Sequence, residues 1–174
     1  TNAGGIGVSH NGNLTNAIKL RTKMVEEGSI FYTTSDTETI VKLIARSKRS
    51  KTVDRVIDAL FQIQGGYALV VLTQNILIGA RDPFGIRPLV IGKLKSSYVL
   101  ASETCALDII GAKYIRDVEN GEIVCIEDGK LQSIKPFPQK KIRPCVFEYI
   151  YFSRPDSILN GKTAYEYRQN FGAE

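Results

Sequence analysis

The chain has 174 residues, of which 43% are hydrophobic and 24% are charged, close to the averages of a soluble globular domain. This composition excludes a disordered or fibrous chain, and no apolar run approaches the roughly 18 residues that a membrane helix needs. The net charge is +5, but the basic runs at residues 46–51 and 140–143 contain no aromatic residues and are typical of solvated loops, so we predict neither a nucleic-acid nor a membrane partner.

The first part of the chain has helical periodicity. Thr15 is a candidate N-cap for a helix that runs to about Glu27, and residues 30–34 form a short predicted strand. The Ser-Asp-Thr-Glu pattern at residues 35–38 is a capping box that opens a second helix. A third helix has apolar residues three and four positions apart and is predicted to end at the glycine pair 65–66.

The rest of the chain is dominated by strand patterns. The predicted strands are residues 67–72, 76–80, 89–91, 98–101, 122–126, 131–134 and 146–152. An Asp-Gly pair at residues 128–129 is a strong hairpin signal, and short helices are predicted at residues 103–110 and 164–171. Helices followed by antiparallel strands predict the α+β class, with a sheet packed against helices.

Three cysteines, Cys105, Cys125 and Cys145, lie far apart in the sequence. An odd and sparse set of cysteines is typical of a reducing compartment rather than of a disulfide framework. Since the first residues show no signal-peptide pattern, we expect a cytoplasmic location.

The sequence His-Asn-Gly-Asn at residues 10–13 has two interpretations. Asn-Gly is a favoured turn dipeptide, which makes a plain turn the simpler one. Alternatively, the side-chain amide of Asn11 and the backbone N–H of Gly12 form a pair of donors for an oxyanion, as acyl transfer requires. His10 is the only histidine, and no motif pairs it with a nucleophile.

Two further segments have sequence patterns that a structural role alone accounts for, without a function. The Arg-Asp-Pro-Phe-Gly-Ile-Arg-Pro-Leu stretch at residues 81–89 predicts a turn between strands, with Arg81 and Asp82 as an ion pair. The aromatic stretch at residues 148–157 reads as a strand that leaves a sheet into a turn.

Taken together and in this order, the motifs resemble the class II (N-terminal nucleophile) glutamine amidotransferases, and within them the amidophosphoribosyltransferases. The resemblance extends over essentially the whole chain and rests on residues 10–16, 35–38, 81–89, 101–108 and 148–157. It implies a four-layer αββα sandwich, incomplete at its N-terminus. It also implies that Asn11 and Gly12 hold the oxyanion and that Asp36 binds the α-ammonium group of glutamine.

For the whole protein, the resemblance implies that ammonia from glutamine displaces pyrophosphate from phosphoribosyl pyrophosphate, held with Mg²⁺, to give phosphoribosylamine, the first step of de novo purine synthesis. We expect a homo-oligomer. Residues 1–145 are predicted to belong to the glutaminase domain, and residues 146–174 to end it and begin the connection to a phosphoribosyltransferase domain.

No cysteine of the chain matches the position of the family's nucleophile. We therefore expect the 174-residue chain to be inactive alone and Thr1 not to be catalytic. Because aromatic residues and arginine are enriched at interfaces, we assign Tyr151 and Arg154 to the contact between the two domains. Cys145 matches the first ligand of the [4Fe–4S] cluster that part of the family carries, with a small buried hydrophobe as the alternative.

The sequence leaves three other interpretations open. The first is a glutaminase domain of another class II amidotransferase, the second is a non-catalytic scaffold of the same fold, and the third is a basic nucleic-acid binder. The form of residues 148–157 argues against the first alternative, and salt-dependent binding to random DNA is the signature of the third.

Overall fold

The computed structural model describes residues 4–173, so Thr1 lies outside the described residues. The helices are α1 (Ala17–Glu26), α2 (Asp36–Arg46), α3 (Thr52–Leu60), α4 (Thr104–Ile109) and α5 (Ala164–Ala173), with a π-helical turn at Glu148–Phe152. The strands are β1 (Gly7–Leu14), β2 (Gly65–Leu72), β3 (Ile76–Arg81), β4 (Val90–Leu94), β5 (Ser97–Ala101), β6 (Lys113–Asp117), β7 (Ile123–Glu127), β8 (Lys130–Ile134), β9 (Ile158–Leu159) and β10 (Lys162–Thr163).

The strands form two main antiparallel sheets. The larger sheet has the order β1-β2-β3-β7-β8, and the smaller one has the order β5-β4-β6. A two-stranded ribbon of β9 and β10 precedes α5. In the described part of the chain, β1 is therefore an outer strand of the larger sheet.

The alternation of side chains along β2 and β4 explains the layering, because successive residues of a strand point to opposite faces. Leu69 of β2 packs with α1, α2 and α3 on one face of the larger sheet, whereas Ala68 packs against Ile91 of the smaller sheet on the other. Val90 of β4 then faces Leu107 of α4. The layers are helices, sheet, sheet and helix, which confirms the αββα sandwich.

Much of the predicted secondary structure is confirmed. The β2–β3, β4–β5 and β7–β8 hairpins form as expected, as do α2, α4 and α5. Asp128 and Gly129 have φ of 49° and 71° in the last hairpin, as a tight turn with two positive φ angles requires. β1 and β6 were not predicted.

Two predicted strands are wrong. Residues 30–34 form a loop, because the backbone N–H groups of Tyr32 and Thr33 donate to the Glu38 carboxylate at 2.9 and 2.8 Å instead of to a strand. Residues 146–152 are helical, and the π-helical turn occupies most of them. Their β-forming residues have no strand beside them, and β-propensity depends on such packing.

The predicted ends of two helices also need correction. Asn16, not Thr15, is the N-cap residue of α1, and Thr15 instead donates to the backbone of Gln64. α3 ends before residues 65–66, which begin β2. Ser35 caps α2 as predicted, accepting a hydrogen bond from the Thr37 N–H at 3.2 Å, while Glu38 binds the preceding loop rather than closing a reciprocal box. No helix within residues 4–173 is long and apolar enough to cross a membrane.

Glu122 is a fully buried carboxylate that links the two sheets. Burial opposes its ionisation, but hydrogen bonds from Arg116 and Ser133 and from the Glu119 N–H outweigh that effect and lower the pKa of Glu122 to about 2. We expect Glu122→Gln to lower the free energy of unfolding by about 1–3 kcal/mol at pH 7, since a charge-assisted network is lost.

A folded-state pKa below the ordinary value of 4.5 means that this stabilisation is present above pH 4.5 and is lost as the pH falls towards 2. Urea denaturation of both forms between pH 7 and pH 3 checks this. The difference between them should shrink with acidity, and Glu127→Gln, an exposed change in the adjoining hairpin, should show no such difference. A gap that is constant with pH would contradict the assignment.

Candidate active site

The loop between β3 and β4 is built around Asp82, which is fully buried. Its carboxylate accepts hydrogen bonds at 2.9–3.3 Å from the backbone N–H groups of Tyr67, Phe84, Ile86 and Arg87. The neighbouring Arg81 donates to the carbonyl oxygens of Arg87, Val118 and Gly85 at 2.8–3.2 Å. The predicted Arg81–Asp82 ion pair is therefore wrong, because each side chain binds backbone groups of the loop and of neighbouring segments instead. The result is a loop that holds Arg87 in one place.

The Asn-Gly pair lies inside β1 and not in a turn, which corrects the simpler interpretation of residues 10–13. Asn11 and Gly12 are paired with Ala68 and Tyr67 of β2. Gly12 has φ of 149°, and a Cβ atom there would lie 2.1 Å from the backbone oxygen of Gly66. Only glycine allows the two strands to approach this closely.

The side chain of Asn11 has its orientation fixed by Arg87. Its Oδ1 accepts from Nε of Arg87 at 3.0 Å and from a terminal guanidinium nitrogen, and its Nδ2 donates to Oγ of Ser102 at 3.2 Å. Since an arginine side chain has only donors, the oxygen of the amide must face it. The NH₂ group of Asn11 therefore points away from Arg87.

Asn11 and Gly12 line an open cavity of about 350 Å³. Arg87, Cys145 and Phe152 form other parts of its wall. The two residues predicted to supply the oxyanion donors thus line one cavity. Its walls come from β1, β2, the loop after β3 and the residues around the π-helical turn.

Asp36 lies beside the same strand. Its Oδ2 accepts from the backbone N–H of Leu14 at 3.0 Å, and its Oδ1 lies 3.5 Å from Nδ1 of His10. Burial lowers the pKa of His10, and the nearby Asp36 carboxylate only partly opposes this. His10 is therefore neutral at pH 7, and it leaves the negative charge of Asp36 available to a cation.

The side chains of His10 and Asn11 point to opposite sides of β1, as successive residues of a strand do. The Asn11 amide contacts Arg87 and Ser102, whereas His10 contacts Asp36 and Thr37. A ligand that uses both Asn11 and Asp36 must therefore reach across β1, which is an outer strand in the described part of the chain.

The residues assigned to other roles lie around the π-helical turn. Tyr151 is 60% exposed and packs edge-to-face on Phe152, with ring centroids 4.6 Å apart. The guanidinium of Arg154 pairs with Asp156 at 3.0 Å. Cys145 is half-buried, and within residues 4–173 no group of three or more histidine, cysteine, aspartate or glutamate side chains is placed to hold a metal.

Three site residues were missed by the sequence analysis, namely Arg87, Ser102 and Glu148. Arg87 forms an ion pair with Glu148 at 3.0 Å, and both side chains are largely buried. The sequence did contain a signal for Arg87, because residues 81–89 hold two arginines and the turn was assigned only to the first, Arg81.

Comparison with known proteins adds a family. A family model described as a glutamine amidotransferase domain matches residues 1–108. An amidophosphoribosyltransferase of Rhizobium etli is 51% identical over 174 residues, with 97% of this chain and 35% of the relative covered. Amidophosphoribosyltransferase 2, chloroplastic, of Arabidopsis thaliana is 49% identical over 97% of this chain and 30% of the relative. The chain thus spans about a third of the length of these relatives.

Solved structures agree with the fold. Glutamine phosphoribosylpyrophosphate amidotransferase from Bacillus subtilis, complexed with ADP and GMP, superposes with a TM-score of 0.95 at 43% identity, covering 99% of this chain and 38% of that one. A glutamine aminotransferase class-II domain protein from Silicibacter pomeroyi matches with a TM-score of 0.55 at 13% identity, which shows a shared fold alone.

Proposed function

The chain belongs to the glutamine amidotransferase domain family, and from this premise we propose that it binds glutamine and stabilises the oxyanion formed when the glutamine side-chain amide is attacked. The observation that carries the proposal is the Asn11 amide. Its oxygen is bound by Arg87, and its NH₂ group, which gives one N–H to Ser102, has a second N–H for an acceptor in the cavity that Gly12 also lines. Donors that are fixed before reaction stabilise a developing charge without reorganisation.

The reaction is hydrolysis through a covalent intermediate. A cysteine thiolate forms a bond to the amide carbon of glutamine, and the carbonyl electron pair moves onto oxygen, where Asn11 and Gly12 donate. The carbonyl re-forms as the C–N bond breaks, and the leaving nitrogen takes up the proton that the thiol had given to its base and departs as ammonia. Water then breaks the C–S bond of the thioester, which gives glutamate and the free thiol. None of Cys105, Cys125 and Cys145 matches the nucleophile position, so in this proposal the thiolate comes from another part of the protein.

Asp36 binds the α-ammonium group of the same glutamine. One carboxylate oxygen is anchored by the Leu14 N–H, and His10 beside the other is neutral because burial lowers its pKa. A carboxylate that is held in place, and that has no cationic neighbour within residues 4–173, is suited to an ammonium ligand. Asp36 therefore contributes binding energy before the amide reacts.

For the whole protein, we propose the activity of the named relatives, transfer of the released ammonia to phosphoribosyl pyrophosphate. The relatives are 51% and 49% identical to this chain over 97% of its length, which supports the amidophosphoribosyltransferase branch of the family over other class II amidotransferases. The transfer, its Mg²⁺ and a homo-oligomeric, cytoplasmic enzyme belong to this wider proposal. No residue of this chain is assigned to the Mg²⁺ site.

The iron–sulfur cluster predicted on Cys145 would need ligands from outside the described residues. A [4Fe–4S] cluster takes four cysteine ligands, and within residues 4–173 Cys145 has no partners with which to form such a group.

The surface around Tyr151 is the proposed contact with a transferase domain. Phe147, Tyr151 and Phe152 form a cluster of ring contacts while each stays at least 44% exposed. Exposed aromatic groups of this kind mark interaction sites. Arg154 follows them in the chain, with its guanidinium exposed and paired with Asp156. The domain boundary at residues 145–146 stays a prediction.

Replacing Asp36 with alanine tests the glutamine site. We expect KM for glutamine to rise about tenfold or more, with a smaller effect on kcat, because the contact exists in the ground state as well as in the transition state. Glutamine hydrolysis by the whole protein measures both constants, and the ammonia-dependent rate should stay unchanged because it bypasses this site.

Asp54→Ala is the matched control. Asp54 also lies in the first turn of a helix, α3, and is exposed. Its replacement should leave KM unchanged. If Asp36→Ala and Asp54→Ala behave alike, or if Asp36→Ala reduces glutamine- and ammonia-dependent rates equally, Asp36 does not bind glutamine.

A further inference from the structure

We propose that Arg87 is the positioning residue of this site, which holds the Asn11 amide in the donating orientation, and that Glu148 and Phe152 hold Arg87 in turn. The inference rests on the proposed function and assigns the chain of contacts on which the oxyanion donor depends. This chain of contacts connects three segments that are distant in the sequence: β1, the loop after β3 and the π-helical turn. Asn11 and Arg87 alone are 76 residues apart.

The first step is the orientation of the amide. An asparagine side chain has two orientations that exchange its oxygen and its NH₂ group. In the observed orientation, the oxygen accepts two hydrogen bonds from Arg87. In the reversed one, the NH₂ group would face a cation that has only donors, and the amide oxygen would lie where the reaction oxyanion is to be stabilised. The guanidinium therefore selects the catalytically useful orientation.

The second step is the position of the guanidinium. A terminal nitrogen of Arg87 lies 3.0 Å from Oε1 of Glu148, with exposed side-chain fractions of 16% and 7%. The other oxygen of Glu148 accepts from Oγ of Ser153 at 2.9 Å. The ring of Phe152 covers the guanidinium, whose central carbon lies 4.9 Å from the ring centroid. Arg87 is thus clamped by both ends of the π-helical turn.

The third step is the choice of arginine. The planar guanidinium group has several N–H donors, so it can bind the Asn11 oxygen and the Glu148 carboxylate at the same time while it stacks on an aromatic ring. A lysine ammonium carries the same charge on one nitrogen and cannot reproduce this geometry. The residue type is therefore required by its contacts, and charge alone is insufficient.

The test uses the whole protein with Arg87→Lys and Arg87→Met, alone and combined with Asn11→Ala. Arg87→Lys keeps a cation beside the buried Glu148 and so guards against loss of folding. We expect either change to lower kcat for glutamine hydrolysis about tenfold, with KM within about twofold, since the donor acts in the transition state. Combined with Asn11→Ala, Arg87→Lys should cause no further loss, because Arg87 acts through Asn11.

Arg143→Met is the matched control, since Arg143 is exposed and its guanidinium lies over Phe84 instead. This variant should leave kcat unchanged.

A wild-type kcat for Arg87→Lys overturns the inference. So does a double variant whose loss of kcat equals the product of the two single losses, or a loss of the ammonia-dependent rate as large as that of the glutamine-dependent rate. Failure of Asn11→Ala itself to lower kcat refutes the proposed function, whereas a slow Asn11→Ala beside a fully active Arg87→Lys refutes only this inference.

Discussion

Replacing Asn11 with alanine should lower kcat for glutamine hydrolysis by about 10²–10³-fold, the usual effect of removing one oxyanion donor. The amide is fixed by Arg87 and Ser102 and reaches the cavity that Gly12 also lines. Since the donor meets a full negative charge only in the transition state, KM for glutamine should change little. Steady-state kinetics of the whole protein with glutamine measure both constants.

Two comparisons separate this catalytic role from a structural one. The ammonia-dependent rate should stay within about twofold of the wild type, because ammonia bypasses the glutamine site altogether. Asn75→Ala, an exposed asparagine in the β2–β3 turn, should leave both rates unchanged. If Asn11→Ala reduces the glutamine- and ammonia-dependent rates equally, Asn11 supports the sheet and does not stabilise an oxyanion.

The elements that the sequence predicted well are those whose partners lie next to them in the chain. β2 and β3 are joined by a short turn, and β7 and β8 by Asp128 and Gly129, whose positive φ angles close a tight hairpin. Hydrophobic runs on either side of a turn contain all the information that such a pair needs. The αββα layers followed from the family resemblance, whereas the residue patterns themselves indicated only an α+β class.

β1 shows why a local signal failed. Asn-Gly favours a turn because both residues tolerate positive φ, and Gly12 does have a positive φ. That conformation serves a close approach to β2, a strand that lies more than 50 residues further along the chain. A pattern within residues 10–13 contains no information about that strand, so the turn and the strand could not be distinguished locally.

The candidate site was predicted only in part, for the same reason. Asn11, Gly12 and Asp36 were named from motifs, but the orientation of the Asn11 amide depends on Arg87 and Glu148, which come from two distant segments. Residues 146–152 were predicted as a strand because they are rich in β-formers, but no strand lies beside them, and they form a helical turn in which the buried Glu148 pairs with Arg87. Long-range polar contacts of this kind have no period in the sequence.

Replacing Gly12 with alanine should abolish most glutamine hydrolysis and also destabilise the fold. A Cβ atom at Gly12 would lie 2.1 Å from the Gly66 oxygen and 2.9 Å from Cα of Tyr67, and both are backbone atoms that cannot rotate away. β1 must therefore shift away from β2 and take Asn11 with it. We expect kcat for glutamine to fall by at least about 10²-fold, as for loss of an oxyanion donor, and the free energy of unfolding to fall by about 1–3 kcal/mol, as for overpacking.

Gly7→Ala is the matched control, because Gly7 lies in the same strand and the nearest atom of residues 4–173 to an added Cβ there would be the Leu72 oxygen, at 3.9 Å. That variant should keep its kcat and stay within about 0.5 kcal/mol of the wild type in urea denaturation. Kinetics of Gly12→Ala are measured well below its unfolding temperature, with the ammonia-dependent rate showing that the protein is folded. A Gly12→Ala variant with wild-type glutamine kinetics would mean that β1 can separate from β2 without moving the donors, and the position of Gly12 in the oxyanion site would then be wrong.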